Sequence, residues 1–225
     1  MTDIQVGKGK PAEAGDVLTV LYKGTLKDGT VFDENQSEGK IPFAFELGHG
    51  LVIRGWDVGM DRIKEGGKRH LEIPPNLAYG ERELPGIPKN STLLFDVDVI
   101  RIDRKDAKPS IVVKRLTEGH GRGAKTGDTV NVLYKGMFLN GTKFDASEDH
   151  KDASGKVQPF TVTIGKTHVI AGFEQGLIGM KPGEKRRITI PYQLAYKDKG
   201  VGEVIPPYAT LVFELEMVNV ESPHK

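Results

Sequence analysis

Apolar and polar positions alternate over Val17 to Leu26, Phe43 to Leu47, Lys68 to Ile73 and Leu93 to Ile102, the period-2 pattern of half-buried strands. Lys27-Asp28-Gly29-Thr30 reads as a turn by its Asp-Gly, and Val31-Phe32-Asp33 resumes a strand after it. One stretch departs from that period. In Val52-Ile53-Arg54-Gly55-Trp56 the ring is followed by Met60 and Ile63 at i+4 and i+7. That spacing places all three on one face of a short helix, which Glu65-Gly66-Gly67 would end by supplying glycine after the C-terminus. Glu34 to Lys40 reads as a polar loop or bulge, Pro74-Pro75 stops a strand, and Glu81 to Asn90 is a Pro/Gly loop.

The same order then repeats. Leu21-Tyr22-Lys23-Gly24 returns as Leu133-Tyr134-Lys135-Gly136, an offset of 112 residues, and Val52-Ile53 returns as Val169-Ile170, an offset of 117. Leu77-Ala78-Tyr79 keeps the offset of 117 and Leu94-Phe95 moves to 118. The chain is a duplication with five extra residues between Asp145 and Phe160 and one between Tyr196 and Phe213. Insertions belong in surface loops, and the polar stretch Glu148 to Val157 is expected to be mobile. Each half therefore has five or so antiparallel strands and one short helix, an α+β domain with a single sheet wrapped on the helix. A polar run ending at Pro109 suits a linker, so the expected division is 1–104, a linker at 105–109, and 110–225.

Composition removes several function classes. There is no cysteine, which excludes thiol catalysis, disulfides and Cys-ligated zinc. Its 32 basic and 31 acidic residues are interspersed, which argues against nucleic-acid or membrane-surface binding driven by charge. The first residues lack the apolar core of a secretory signal, and no stretch has the ~18 apolar residues of a membrane helix. A cytoplasmic location is expected, in which the sequons at Asn35, Asn90 and Asn140 are chance matches. Six histidines (49, 70, 120, 150, 168 and 224) form no zinc motif. Gly119 to Thr126 nearly matches a phosphate-binding loop, but Ala124 replaces its second glycine and a strand rather than a helix follows. No metal or cofactor is expected.

Aromatic residues remain. Tyr22, Phe32, Phe43, Trp56, Tyr79 and Phe95 each meet an aromatic residue in the second half: Tyr134, Phe144, Phe160, Phe173, Tyr196 and Phe213. Only Phe45 meets an aliphatic one, Val162. A repeated core would explain this recurrence by itself. Two details favour a pocket: a carboxylate follows a ring at Phe32-Asp33 and again at Phe144-Asp145, and buried tyrosine hydroxyls need partners. An apolar cavity with a few polar groups is the general form of a small-ligand site.

In this order and spacing, Tyr-x-Gly, Phe-Asp, Val-Ile-x-Gly-Trp, Ala-Tyr and Leu-Phe-Asp-Val resemble the FKBP family of peptidyl-prolyl cis/trans isomerases, over nearly the whole chain, twice. The resemblance implies an antiparallel half-barrel sheet around one short helix in each domain. It also implies a shallow pocket for a proline ring or for the macrolides tacrolimus and rapamycin. Carried onto this chain, the first pocket would be Tyr22, Phe32, Asp33, Phe43, Val52, Ile53, Trp56, Tyr79, Ile87 and Phe95. Trp56 would form the floor, and the Ile53 N–H and Tyr79 hydroxyl would donate to ligand carbonyls. The second would be Tyr134, Phe144, Asp145, Phe160, Val169, Ile170, Phe173, Tyr196, Ile205 and Phe213. Here Trp56 becomes Phe173, Arg54 becomes Ala171, and Pro85-Gly86 becomes Gly202-Glu203, bringing a charge toward the rim. The first domain is expected to be the more active isomerase. The implied partners are proline-containing peptides and protein clients of a monomer, and the alternative is a non-catalytic chaperone or scaffold module that holds proline segments.

Overall fold

The computed structural model describes residues Met1–Pro223, so His224 and the expected domain end at Lys225 lie outside the described residues. The chain divides into two compact units, one from Met1 to Ala107 and one from Lys108 onward. The division falls inside the stretch read as linker. Its first residue and the one before it are tied to the first unit: the Lys105 N–H donates to the Asp16 carboxylate, and Arg104 pairs with the same group at 2.8 Å.

The first unit contains β1 (Thr2–Gln5), β2 (Val17–Leu26), β3 (Val31–Glu34), β4 (Phe43–Glu46), α1 (Arg54–Gly59), β5 (Lys68–Ile73) and β6 (Leu93–Asp103). All pairings are antiparallel, in the order β1-β5-β6-β2-β3, with β4 also on β2. The second unit contains β7 (Val112–Thr117), β8 (Thr129–Phe138), β9 (Lys143–Ala146), β10 (Phe160–Thr163), α2 (Ala171–Leu177), β11 (Lys185–Ile190) and β12 (Leu211–Glu221). Its order, β7-β11-β12-β8-β10 with β9 also on β8, is the same topology. Each sheet thus has six strands where five or so were expected. The added strands, β1 and β7, are exposed at every residue.

The outer edge of β2 is shared. Val17–Val20 pair with β4, and Lys23–Thr25 pair with β3. Asn35 fills the gap where the partner changes: its Oδ1 accepts the Tyr22 N–H at 2.6 Å, and its Nδ2 donates to the carbonyls of Val20 and Ile41. In the second unit Ser147 takes this place, its hydroxyl accepting the Tyr134 N–H at 3.0 Å.

Both helices are shorter than their apolar spacing suggests. α1 ends at Gly59, so Met60 caps it and Ile63 lies beyond it, although both are buried. Arg62 adopts a positive φ of 59°, and its N–H is drawn off to the Ala12 carbonyl. α2 contains Phe173 and Leu177 but not Met180, which is also buried. A buried arginine receives each helix end. Arg69 Nη1 donates to the carbonyls of Gly59 and Asp61, and Arg186 Nη1 donates to those of Gly176 and Ile178, satisfying acceptors that a helix C-terminus leaves open.

The glycine of Val-Ile-x-Gly has a packing reason. A Cβ on Gly55 would stand 2.3 Å from Ile73 Cγ2, and one on Gly172 would stand 2.3 Å from Ile190 Cγ2. Only a bare backbone lets the helix lie this close to the sheet. The expected mobile insertion is a loop tied around the Asp152 carboxylate, which accepts from the Ser154 hydroxyl and from the N–H groups of Ser154 and Lys156.

Candidate functional site

Each unit opens a cavity between its helix and the concave face of its sheet. The first, about 300 Å³, is lined by Tyr22, Phe32, Asp33, Phe43, Leu51, Val52, Ile53, Trp56, Tyr79 and Phe95. The second, about 230 Å³, is lined by Tyr134, Phe144, Asp145, Phe160, His168, Val169, Ile170, Phe173, Tyr196 and Phe213. These volumes lie at or below the lower end for drug-sized ligands and suit a single small ring.

In each set, nine of the ten residues named from sequence line the cavity. Ile87 and Ile205 are the exceptions, buried at 7% and 5% exposure. Two backbone hydrogen bonds between Leu84 and Ile87 close a tight turn, and the Ile87 side chain belongs to the apolar core rather than the cavity wall. Ile205 is bridged to Val201 in the matching loop. Sequence reasoning missed Leu51 and His168. Their signal was position, since each directly precedes the repeated Val-Ile. Glu203, expected to bring a charge toward the rim, is not among the residues that line the second cavity.

The floor in the first unit is the Trp56 ring, 4% exposed. Tyr22 and Phe95 meet it edge-on at 5.3 and 5.2 Å between centroids, a favoured arrangement for aromatic quadrupoles. Phe173 replaces it in the second unit, 5.2 Å from Phe213 but 6.2 Å from Tyr134. Phe43 and Phe160 stand at the mouths with their rings partly in solvent. The repeated Tyr-Lys-Gly also has a physical reason: a Cβ on Gly24 would stand 2.6 Å from Phe32 and 2.9 Å from Phe95. That glycine lets two wall rings close over the strand, and Gly136 does the same beneath Phe144 and Phe213.

Polar groups are few and placed alike. The Tyr22 hydroxyl donates to Asp33 Oδ2 at 2.5 Å, and the Tyr134 hydroxyl donates to Asp145 Oδ2 at 2.7 Å. Burial and the neighbouring carboxylate push both phenols well above the usual tyrosine range. Burial and the charge of Asp145 also raise that of Tyr196. Burial acts to raise the Asp145 carboxyl, but hydrogen bonds from Tyr134 and His150 outweigh it and hold the group below its ordinary value. At the start of α1 the Ile53 carbonyl accepts from Trp56, while the Ile53 N–H has no acceptor among the described residues. The same is true of Ile170. The Tyr79 hydroxyl also makes no hydrogen bond among them. The cavity therefore offers an aromatic surface with two free donors and one carboxylate at its edge. Among the described residues no cluster of three or more His, Asp or Glu could hold a metal ion, and no helix is long and apolar enough to cross a membrane.

Comparison with known proteins places the chain in a family. A family model described as FKBP-type peptidyl-prolyl cis-trans isomerase matches residues 8–100 and again 121–218. The human protein "Peptidyl-prolyl cis-trans isomerase FKBP10" is 36% identical over 93% of this chain, which spans 35% of that protein. "FK506-binding protein 4" of Aspergillus oryzae (strain ATCC 42149 / RIB 40) is 52% identical over 44% of this chain and 21% of its own length. A crystal structure of the three FKBP domains of wheat FKBP73 covers 98% of this chain and 94% of its own, with 26% identity and a TM-score of 0.44. The chain thus spans about a third of the length of curated relatives that match nearly all of it. With the family's model matched twice and the same aromatic cavity in both places, this chain belongs to the FKBP-type peptidyl-prolyl cis-trans isomerase family.

Proposed function

We propose that the chain accelerates cis/trans isomerisation of X–Pro peptide bonds, that the first cavity is the more active, and that tacrolimus and rapamycin compete for it. The observation that carries this reading is the Trp56-floored cavity, sized for one small ring, with free donors at Ile53 and Tyr79 on its wall. An X–Pro bond isomerises over tens to hundreds of seconds because resonance resists twisting. Twisting breaks that resonance and leaves a less polar C–N unit. Aromatic walls that exclude water favour this state over the planar, well-solvated amide, so the barrier falls without a nucleophile. The Ile53 N–H and Tyr79 hydroxyl fix the carbonyls that flank the proline. The Tyr22–Asp33 pair holds one wall ring in place. No cofactor takes part. One relative is named for FK506 binding, which supports the macrolide part.

The test is turnover of a proline tetrapeptide by the full chain, by Trp56→Ala and by Phe173→Ala. Most of the turnover is expected to disappear with Trp56→Ala and little with Phe173→Ala. Equal losses would sink the ranking of the two cavities. No turnover in the parent chain, combined with suppressed aggregation of a proline-independent client, would leave a holding chaperone instead.

A further inference from the structure

The second cavity has a histidine on its carboxylate and the first does not. His150 Nε2 lies 2.8 Å from Asp145 Oδ1 while Oδ2 accepts the Tyr134 hydroxyl, so both oxygens are engaged. The Tyr134 ring held in this way stands edge-on to Phe160 and Phe173 as a cavity wall. In the first unit Asp33 receives the Tyr22 hydroxyl, and no second side chain meets it among the described residues. His150 comes from the stretch between Asp145 and Phe160 that carries the five extra residues, and the fold fixes its backbone. Its N–H donates to the Ser147 carbonyl, its carbonyl accepts from Gln158, and Lys151 bridges to Val157.

We propose that His150 is a positioning residue of the second site: it orients the Asp145 carboxylate and, through it, the Tyr134 ring, and so makes this site respond to pH where the first does not. When protonated, His150 gives Asp145 a charge-assisted hydrogen bond, roughly twice as strong as a neutral one. A neutral imidazole lacks that charge and holds the carboxylate less tightly. Tyr134 and Tyr196 share the Asp145 environment. Lys143 and Asp149 pair with each other at 2.7 Å, Glu148 and Lys151 flank the turn, and His168 lines the same cavity. His150 and Asp145 are 61% and 39% exposed, so solvent screening limits the effect to a few-fold. Its consequence for ligand affinity rests on reading this cavity as a proline-peptide site.

The full chain decides the matter by NMR between pH 5 and 8, first without ligand. The Tyr134 ring resonances are expected to shift with the midpoint of the His150 ring while those of Tyr22 stay flat. His150→Gln should abolish the shift, and His150→Arg should hold the low-pH position throughout. With succinyl-Ala-Leu-Pro-Phe-p-nitroanilide as the probe, affinity at the second site should fall about two- to five-fold from pH 5.5 to 8, and not in either variant. A Tyr134 ring that stays flat while His150 titrates overturns the proposal. So does a shift that survives His150→Gln, including one that disappears in His168→Gln. If the probe moves no second-site resonance, the peptide-site reading of that cavity fails, and the ligand-free titration still decides the role of His150.

Discussion

The two cavities have nearly the same walls but different floors and rims. Gly24 and Gly136 let wall rings close over a strand, Gly55 and Gly172 let the helix lie on the sheet, and Arg69 and Arg186 receive the helix end. Among the residues that line the cavities the copies part at two positions, Trp56 against Phe173 and Leu51 against His168, and Asp33 accepts from one side chain where Asp145 meets two. The groups that make the cavity exist have counterparts, and so do Ile53 and Tyr79 in Ile170 and Tyr196; the difference lies in the floor and at the edge. Architecture here constrains the packing under the rings and leaves the rim free to vary.

The most severe way to break this comparison is Trp56→Ala. Removing a buried indole should cost about 3–5 kcal/mol of stability and most of the macrolide affinity. Denaturant unfolding and calorimetry read the two effects, and unchanged affinity would remove Trp56 from the site. Next come Gly55→Ala and Gly172→Ala, each forcing a methyl against an isoleucine of the sheet. Each should destabilise its own unit by about 1–3 kcal/mol, and similar shifts in urea midpoint would show that the packing is shared. Exchanging the floors, Trp56→Phe and Phe173→Trp, tests the variable part. The first should lower and the second raise kcat/KM at its own cavity by about tenfold, or about 1.4 kcal/mol. If neither changes turnover, the rim rather than the floor separates the copies.

The smallest effect is on pH. Asp145 has its folded value depressed, so its contribution is present above the ordinary carboxyl range near ~4 and is lost as pH falls through the folded value. Its exposure keeps the effect below about 1 kcal/mol. It should be seen as a steeper acid loss in the parent chain than in Asp145→Asn. Tyr22 and Tyr134 have raised values, so their contribution is full below ~10 and is lost as pH rises beyond it. Phenol absorbance of the folded chain should lag that of the unfolded chain above this point.

How much the sequence revealed follows from where burial leaves a period. β5 and most of β6 bury alternate residues, and the alternation is plain there, whereas β2 buries Val17 to Val20 without a break. β1 and β7 bury none, so no pattern marks them. The spacing of Trp56, Met60 and Ile63 showed correctly that all three are buried, but not that one continuous helix carries them. A turn at Arg62, which has no glycine to announce it, returns Ile63 to the core equally well. Site residues inside the repeated motifs were legible because each copy pointed to the other. His150 was not, because the five extra residues between Asp145 and Phe160 leave that stretch without a fixed counterpart. Nor was the work of Asn35, whose aligned partner Ser147 performs part of it with a different side chain.

That gap-filling pair has a consequence for how such a domain diversifies. Lys23 and Gly24 pair with Glu34 and Asp33 as Lys135 and Gly136 pair with Ala146 and Asp145, and Val20 meets Phe43 as Val132 meets Phe160. Five added residues between those pairings have shifted none of them. Lengthening a loop is entropically cheap, about 0.6 kcal/mol per doubling. The segment after Asn35 or Ser147 is therefore a grafting port, where new rim chemistry can be installed beside the cavity while the strands on either side keep their alignment.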